Sequence, residues 1–331
     1  MHTLCSLVLL LHPFTTLADT PFKVRHYGRS YTATQTYALK DYFTGDDLLT
    51  WDFFSASDPT HGDVNYLTKA DAIAKGLAYI QKDGTTILAV DGKSHLKAGE
   101  SRDSVRISSP KSYTYGLFIT DIWAMPHGPT VWPAYWTVGP DWPNNGEIDI
   151  IEVKDFISIT LVFMLPPWTG RGCFLDTSVA SEFTGQQTEH SSCSSSSNDN
   201  DGCGVTDSGA HVYGHNFNAI GGGIYAHIVA SSGIKIWHFP RNEIPTDIIS
   251  RSPNPANWDK PVAFWSSLTC NISEHFKDHV ITFDTTLCGD WAGNSFPGGI
   301  VACTEAVADP VNYALAQWKI NYVAVYENFG P

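Results

Sequence analysis

Trp142-Pro143-Asn144-Asn145-Gly146-Glu147-Ile148-Asp149-Ile150-Ile151-Glu152 sets three carboxylates among β-branched residues directly after a turn-forming run. The isoleucines favour an extended strand, on which successive side chains point to opposite faces. On a regular strand Glu147 and Asp149 share one face, whereas Glu152, five residues beyond Glu147, falls on the other. A single β-bulge after Asp149 returns Glu152 to the first face, because the extra residue resets the alternation. The segment is therefore expected to be a bulged strand with its acids on one side.

Outward from this strand the chain repeats the same grammar. Short β-rich runs at residues 85–90 (TTILAV), 104–107, 115–119, 148–153, 223–228, 233–237, 280–283 and 318–326 are separated by Gly, Pro, Asn and Asp. Helical periodicity is weak and best at residues 71–77 and 309–316. With 27 Gly, 19 Pro and 16% charged residues in 331, the chain reads as a single loop-rich all-β domain. No linker divides it, and the Ser-rich stretch at 191–200 is expected to be a surface loop. A net charge of −14 without a basic cluster argues against nucleic acid and anionic membrane partners.

The first residues, MHTLCSLVLLLHPFTTLADT, carry an apolar run too short to cross a bilayer, followed by small residues around Ala18. They read as a signal peptide, 1–18, preceding a mature domain, 19–331. Removal of the leader leaves Cys173, Cys193, Cys203, Cys270, Cys288 and Cys303, an even number that suits a disulfide-bonded secreted protein. Cys193 and Cys203 are the expected local bridge, closing the Ser-rich loop. Asn271-Ile272-Ser273 is a glycosylation sequon.

On the bulged strand Glu147 and Glu152 are expected to lie roughly 5–5.5 Å apart, the separation of a retaining glycosidase pair. Crowding of three acids requires at least one to hold a proton near neutral pH. Two other readings of the same acids are a solvent-facing edge strand, protected against aggregation, and a calcium site, which lacks a dense oxygen-ligand loop. Trp123, Trp132, Trp136 and Trp142 all precede Glu147 and offer flat apolar faces for pyranose rings, although one or two of them are expected to be core packing.

The stretches RDSVRISS at 102–109, YGLFITDIWAMP at 115–126, VWPAYWTVGPDWPNNGEIDIIE at 131–152, YGHNFNAIGGGIYAHI at 213–228, SSGIKIWHFPR at 231–241, ISEHFKDHVITFDTTLCGDWAGN at 272–294 and WKINYVAVY at 318–326 resemble fungal laminarinase-like members of glycoside hydrolase family 16. The resemblance implies a curved β-sandwich jelly roll with a substrate groove on the concave sheet. It implies Glu147 as nucleophile, Asp149 as its electrostatic helper and Glu152 as acid/base. It further implies glucose-binding roles for Asn65, Arg106, Trp136, Trp142 and Trp291. The implied protein is a secreted, monomeric endo-β-1,3(4)-glucanase acting on β-glucan, with no cofactor required and room for a structural calcium.

Two departures from the family pattern stand out. In residues 153–172 Val162 occupies the place of an expected His, and after Ala226 the chain reads His227-Ile228 where a Glu-Trp pair is expected. These departures motivate an alternative, a glucan-binding module of the same fold with impaired catalysis.

Overall fold

The computed structural model describes residues 36–152, 159–160, 163–164, 173–194 and 202–328. The leader expected at 1–18, Val162 and residues 195–200 of the Ser-rich loop lie outside the described residues. Numbering the strands of the two main sheets along the chain, the smaller sheet runs β9 (Phe163–Met164), β8 (Glu147–Glu152), β7 (Val131–Val138), β13 (Val280–Leu287), β5 (Arg106–Ser108) and β2 (Asp52–Phe53) in space. The larger runs β12 (Ala263–Ser266), β11 (Gly233–Pro240), β10 (Gly223–Ala230), β6 (Gly116–Ala124), β14 (Gln317–Asn328), β4 (Thr86–Ala89) and β3 (Ala78–Ile80), with β1 (Tyr37–Thr44) also paired to β14. Neighbours in both sheets are antiparallel.

Period-two alternation explains how the sheets meet. Ile281 and Phe283 of β13, Tyr135 of β7 and Ile148, Ile150 and Ile151 of β8 turn inward and join Phe118, Tyr225, Trp318 and Val323 of the larger sheet in one core. Phe283 bridges the layers, stacked on Tyr135 at 4.6 Å and edge-on to Trp318 at 5.4 Å. The Thr120 hydroxyl donates to that of Tyr135 at 2.6 Å, so these two buried hydroxyls satisfy one another. A second apolar layer, with Leu117, Ile119, Ala226, Trp237 and Phe239, covers the outer face of the larger sheet. The smaller sheet is thereby left with an open outer face, made of the residues that alternate with its core positions.

Three disulfides join Cys173 to Cys270, Cys193 to Cys203 and Cys288 to Cys303, including the local bridge expected from sequence. The helix expected at 71–77 forms at Lys69–Ala74, started two residues early by Thr68, whose hydroxyl accepts from the Asp71 N–H. The one expected at 309–316 is only a 3-10 turn at Pro310–Tyr313, and the longer helix lies just before it at Gly299–Val307. The described residues fall in one compact unit, and no helix among them is long and apolar enough to cross a membrane.

Candidate active site

Strand β8 carries the expected bulge. Asp149 pairs with Trp136 and Ile151 with Tyr135, so Ile150 is the extra residue between two adjacent positions of β7. Ile148, Ile150 and Ile151 enter the core, and Glu147, Asp149 and Glu152 emerge together on the open face. The loop before the strand is closed by Gly146, whose φ is +76° and whose absent Cβ would lie 2.6 Å from the His275 carbonyl. His279 fixes the same loop, bonding the Asn145 carbonyl through Nε2 at 2.7 Å and the Thr137 hydroxyl through Nδ1 at 2.9 Å.

Neighbouring strands complete the cluster. From β7, Trp132 donates its indole N–H to Glu152 Oε1 at 3.2 Å, and Trp136 donates to Asp284 Oδ2 of β13 at 2.8 Å. Trp142 hydrogen-bonds Glu147 from the loop before β8. Trp291, in the turn Gly289–Gly293 that Cys288–Cys303 ties to the following helix, packs edge-on against Trp132 at 5.4 Å. Arg106 of β5 is sandwiched between Phe54 and Trp136, its guanidinium carbon 4.5 and 4.9 Å from the two ring centres.

Electrostatics divide the acids. Burial is the main force raising the Glu147 carboxyl, to about 7; Arg106 and the Trp142 N–H oppose it, and Asp284 adds to it. Asp149, only 5% exposed, is pushed well above the carboxylate range by burial and then by Glu147, Glu152 and Asp284 around it. The proton that crowding demands is therefore held most firmly by the middle acid, Asp149.

Of the residues singled out in the sequence, Glu147, Asp149, Glu152, Arg106, Trp136, Trp142 and Trp291 come together here. Asn65 does not join them: its amide donates to Asp103, itself bonded to Lys75, while Tyr66 next to it on the strand Val64–Tyr66 is the residue that faces Asp284 and Arg106. Trp123 is on the other sheet, packed over Arg241 at 4.1 Å. Trp132 is the buried member of the tryptophan set, yet its N–H is spent on Glu152.

The Glu-Trp departure touches the groove at neither residue. His227 lies in the inter-sheet core, stacked on Phe118 at 4.5 Å and held neutral by burial, which lowers it to about 3, while Ile228 packs on the outer face of the larger sheet. Asp284 was missed in the sequence, although it carries a signal like that of Glu147: a carboxylate on the strand face opposite Ile281 and Phe283. Among the described residues no group of three or more His, Cys, Asp or Glu side chains is arranged to hold a metal ion.

Residues 51–326 match the family model described as XgeA-like, catalytic GH16 domain. A probable glycosidase of Schizosaccharomyces pombe is 38% identical over 92% of this chain and 72% of its own length. An endo-1,3(4)-beta-glucanase of Arthroderma benhamiae is 37% identical over 88% of this chain and 65% of its own. The chain spans about half the length of several further relatives from Aspergillus. Among solved structures, Laminarinase 16A from Phanerochaete chrysosporium, with 6-O-glucosyl-laminaritriose in donor and acceptor sites, is 38% identical with a TM-score of 0.81, covering 88% of this chain and all of that one. An elongating family 16 beta-1,3-glucosyltransferase has the same TM-score and coverage at 36% identity.

Proposed function

This chain belongs to glycoside hydrolase family 16, among its XgeA-like catalytic domains, and from that premise we propose that it is a secreted, monomeric endo-β-glucanase cleaving β-1,3 and mixed β-1,3-1,4 linkages with retention. The observation that carries the reading is the bulge at Ile150, which puts Glu147, Asp149 and Glu152 on one face beside a wall of tryptophans. Laminarinase 16A, bound to β-glucan oligosaccharides, supports the substrate class. The three disulfides support an extracellular location.

In this mechanism Glu152 protonates the departing glycosidic oxygen as Glu147 attacks the anomeric carbon, forming a glycosyl-enzyme. Glu152, now ionised and steadied by the Trp132 N–H, draws a proton from water, which opens the ester from the opposite side. Protonated Asp149 donates a hydrogen bond toward Glu147 and steadies the carboxylate as it changes charge. Arg106 and the Trp142 N–H favour the ionised nucleophile against the cost of burial. A sugar hydroxyl in the place of water yields transfer, the activity named for the related glucosyltransferase.

The test is incubation with laminarin and with linkage-defined mixed glucans, followed by reducing-end assay and early proton NMR of the products. Short oligosaccharides released first as the β-anomer are expected. First release of the α-anomer would refute retention, and binding without any product would instead establish the impaired glucan-binding module.

A further inference from the structure

Asp284 lies beside Arg106 and Trp136 without belonging to the acid strand. It sits on β13 directly opposite Arg106 of β5, is 5% exposed, and accepts the Trp136 indole N–H at 2.8 Å. Trp136 is in turn paired with Asp149 across β7 and β8, and its ring forms one wall of the slot that holds the Arg106 guanidinium. Asp284 thus reaches the acid strand in two ways, through Trp136 to Asp149 and through the charge of Arg106 to Glu147.

We propose that Asp284 is a positioning residue for this site: it anchors the Trp136 ring that walls the Arg106 slot, and it divides the charge of Arg106 between itself and Glu147. The inference rests on the reading of Glu147 as nucleophile. Its physical content is a competition. An anion opposite Arg106 draws on the cation that would otherwise favour ionised Glu147, and it repels Glu147 directly. The groups facing Asp284 are Arg106 from β5, Trp136 from β7, Glu147 and Asp149 from β8, and Asp58 and Tyr66 from the segment between β2 and β3. Those facing Glu147 are Arg106, Asp284, Trp142 and, from its own strand, Asp149. Burial raises the Asp284 carboxyl to about 6 despite Arg106 and the Trp136 N–H, so its charge changes in the range where the site works.

Two variants separate the two roles. Asp284→Asn removes the charge but keeps an oxygen that can accept the indole N–H, whereas Asp284→Ala removes both. Glutamate labelled with 13C at its carboxyl carbon reports each carboxyl directly, and the resonance missing from Glu147→Gln identifies Glu147. In both variants the Glu147 titration midpoint is expected to fall, by on the order of one pH unit. KM for laminarin is expected to rise severalfold in Asp284→Ala and to return near the wild-type value in Asp284→Asn. A midpoint that stays or rises in either variant would overturn the proposal, as would an equal rise of KM in both. If one variant fails to fold, the midpoint in the other decides. The titration needs no turnover, so a wild-type protein inactive on every β-glucan would refute the proposed function while leaving this measurement decisive for Asp284.

Discussion

Each sheet buries acids on its outer face, and the two faces treat them in opposite ways. On the larger sheet Asp121 accepts from Arg241 Nη2 at 2.6 Å and from Asn321 Nδ2 at 2.8 Å, while Arg241 also donates to the carbonyls of Gly221 and Ile122. Both charges of this pair are complemented, as buried ion pairs require. On the smaller sheet Glu147 and Asp284 share the single cation Arg106, Asp149 and Glu152 crowd beside Glu147, and burial raises Glu147, Asp149 and Asp284. A matched acid holds the architecture together, whereas an undermatched one stores proton affinity that chemistry can use.

The contrast is broken most severely at the acids themselves. Glu147→Gln and Glu152→Gln are expected to lower kcat/KM on laminarin by roughly 10⁴-fold, while Asp121→Asn leaves it within about twofold, because Asp121 lies outside the groove. Comparable losses from all three, measured in one initial-rate series, would erase the distinction. The reverse holds for stability. Asp121→Ala strands Arg241 and is expected to cost about 3 kcal/mol in urea unfolding.

Glu147→Gln is expected to gain stability, and the gain has a defined pH window. The folded state raises the Glu147 carboxyl from 4.5 to about 7, so the folded protein binds more protons than the unfolded chain between those values. The wild type therefore keeps this contribution below pH 4.5 and loses it as pH rises through about 7. Discounted for partial exposure, the variant should lead by about 2 kcal/mol at pH 8 and by nothing at pH 4. A constant offset across that range would show that Glu147 is not strained by burial. A smaller loss than those of the acids belongs to Trp132→Phe, which keeps the ring but removes the N–H to Glu152. It should lower kcat by about tenfold, the worth of one charge-assisted bond, without changing the unfolding midpoint by much.

The bulge was legible because three acids and three isoleucines admit one arrangement that keeps the isoleucines buried and the acids together. The Cys193–Cys203 bridge was legible for a similar reason, since it is local. The partnership of Asp121 with Arg241 was not, because it joins residues 120 positions apart. Nor was Asp284, since a lone acid among threonines and apolar residues does not reveal that Arg106 faces it across the ladder. Trp123 was counted among four candidate sugar faces by its place in a tryptophan-rich span. Its strand, however, belongs to the larger sheet, where the odd positions Leu117 and Ile119 face outward with it. The helix Gly299–Val307 escaped notice because its sequence has little amphipathic rhythm, and Cys303 anchors it to Cys288 from outside. Proximity along the chain carried the readable part of the site, and pairing between distant strands carried the rest.

The central claim, that Glu147 attacks and Glu152 handles the proton, is tested most directly by azide rescue of the alanine variants on an activated aryl β-glucoside oligosaccharide. With Glu147→Ala, azide enters the vacated space and displaces the aryl group in one step, so the product should be the α-glycosyl azide. With Glu152→Ala the glycosyl-enzyme still forms, because the aryl group needs no proton, and azide opens it with a second inversion to the β-glycosyl azide. Opposite anomers from the two variants are the expected result. The same anomer from both, or a β-azide from Glu147→Ala, would contradict the assignment.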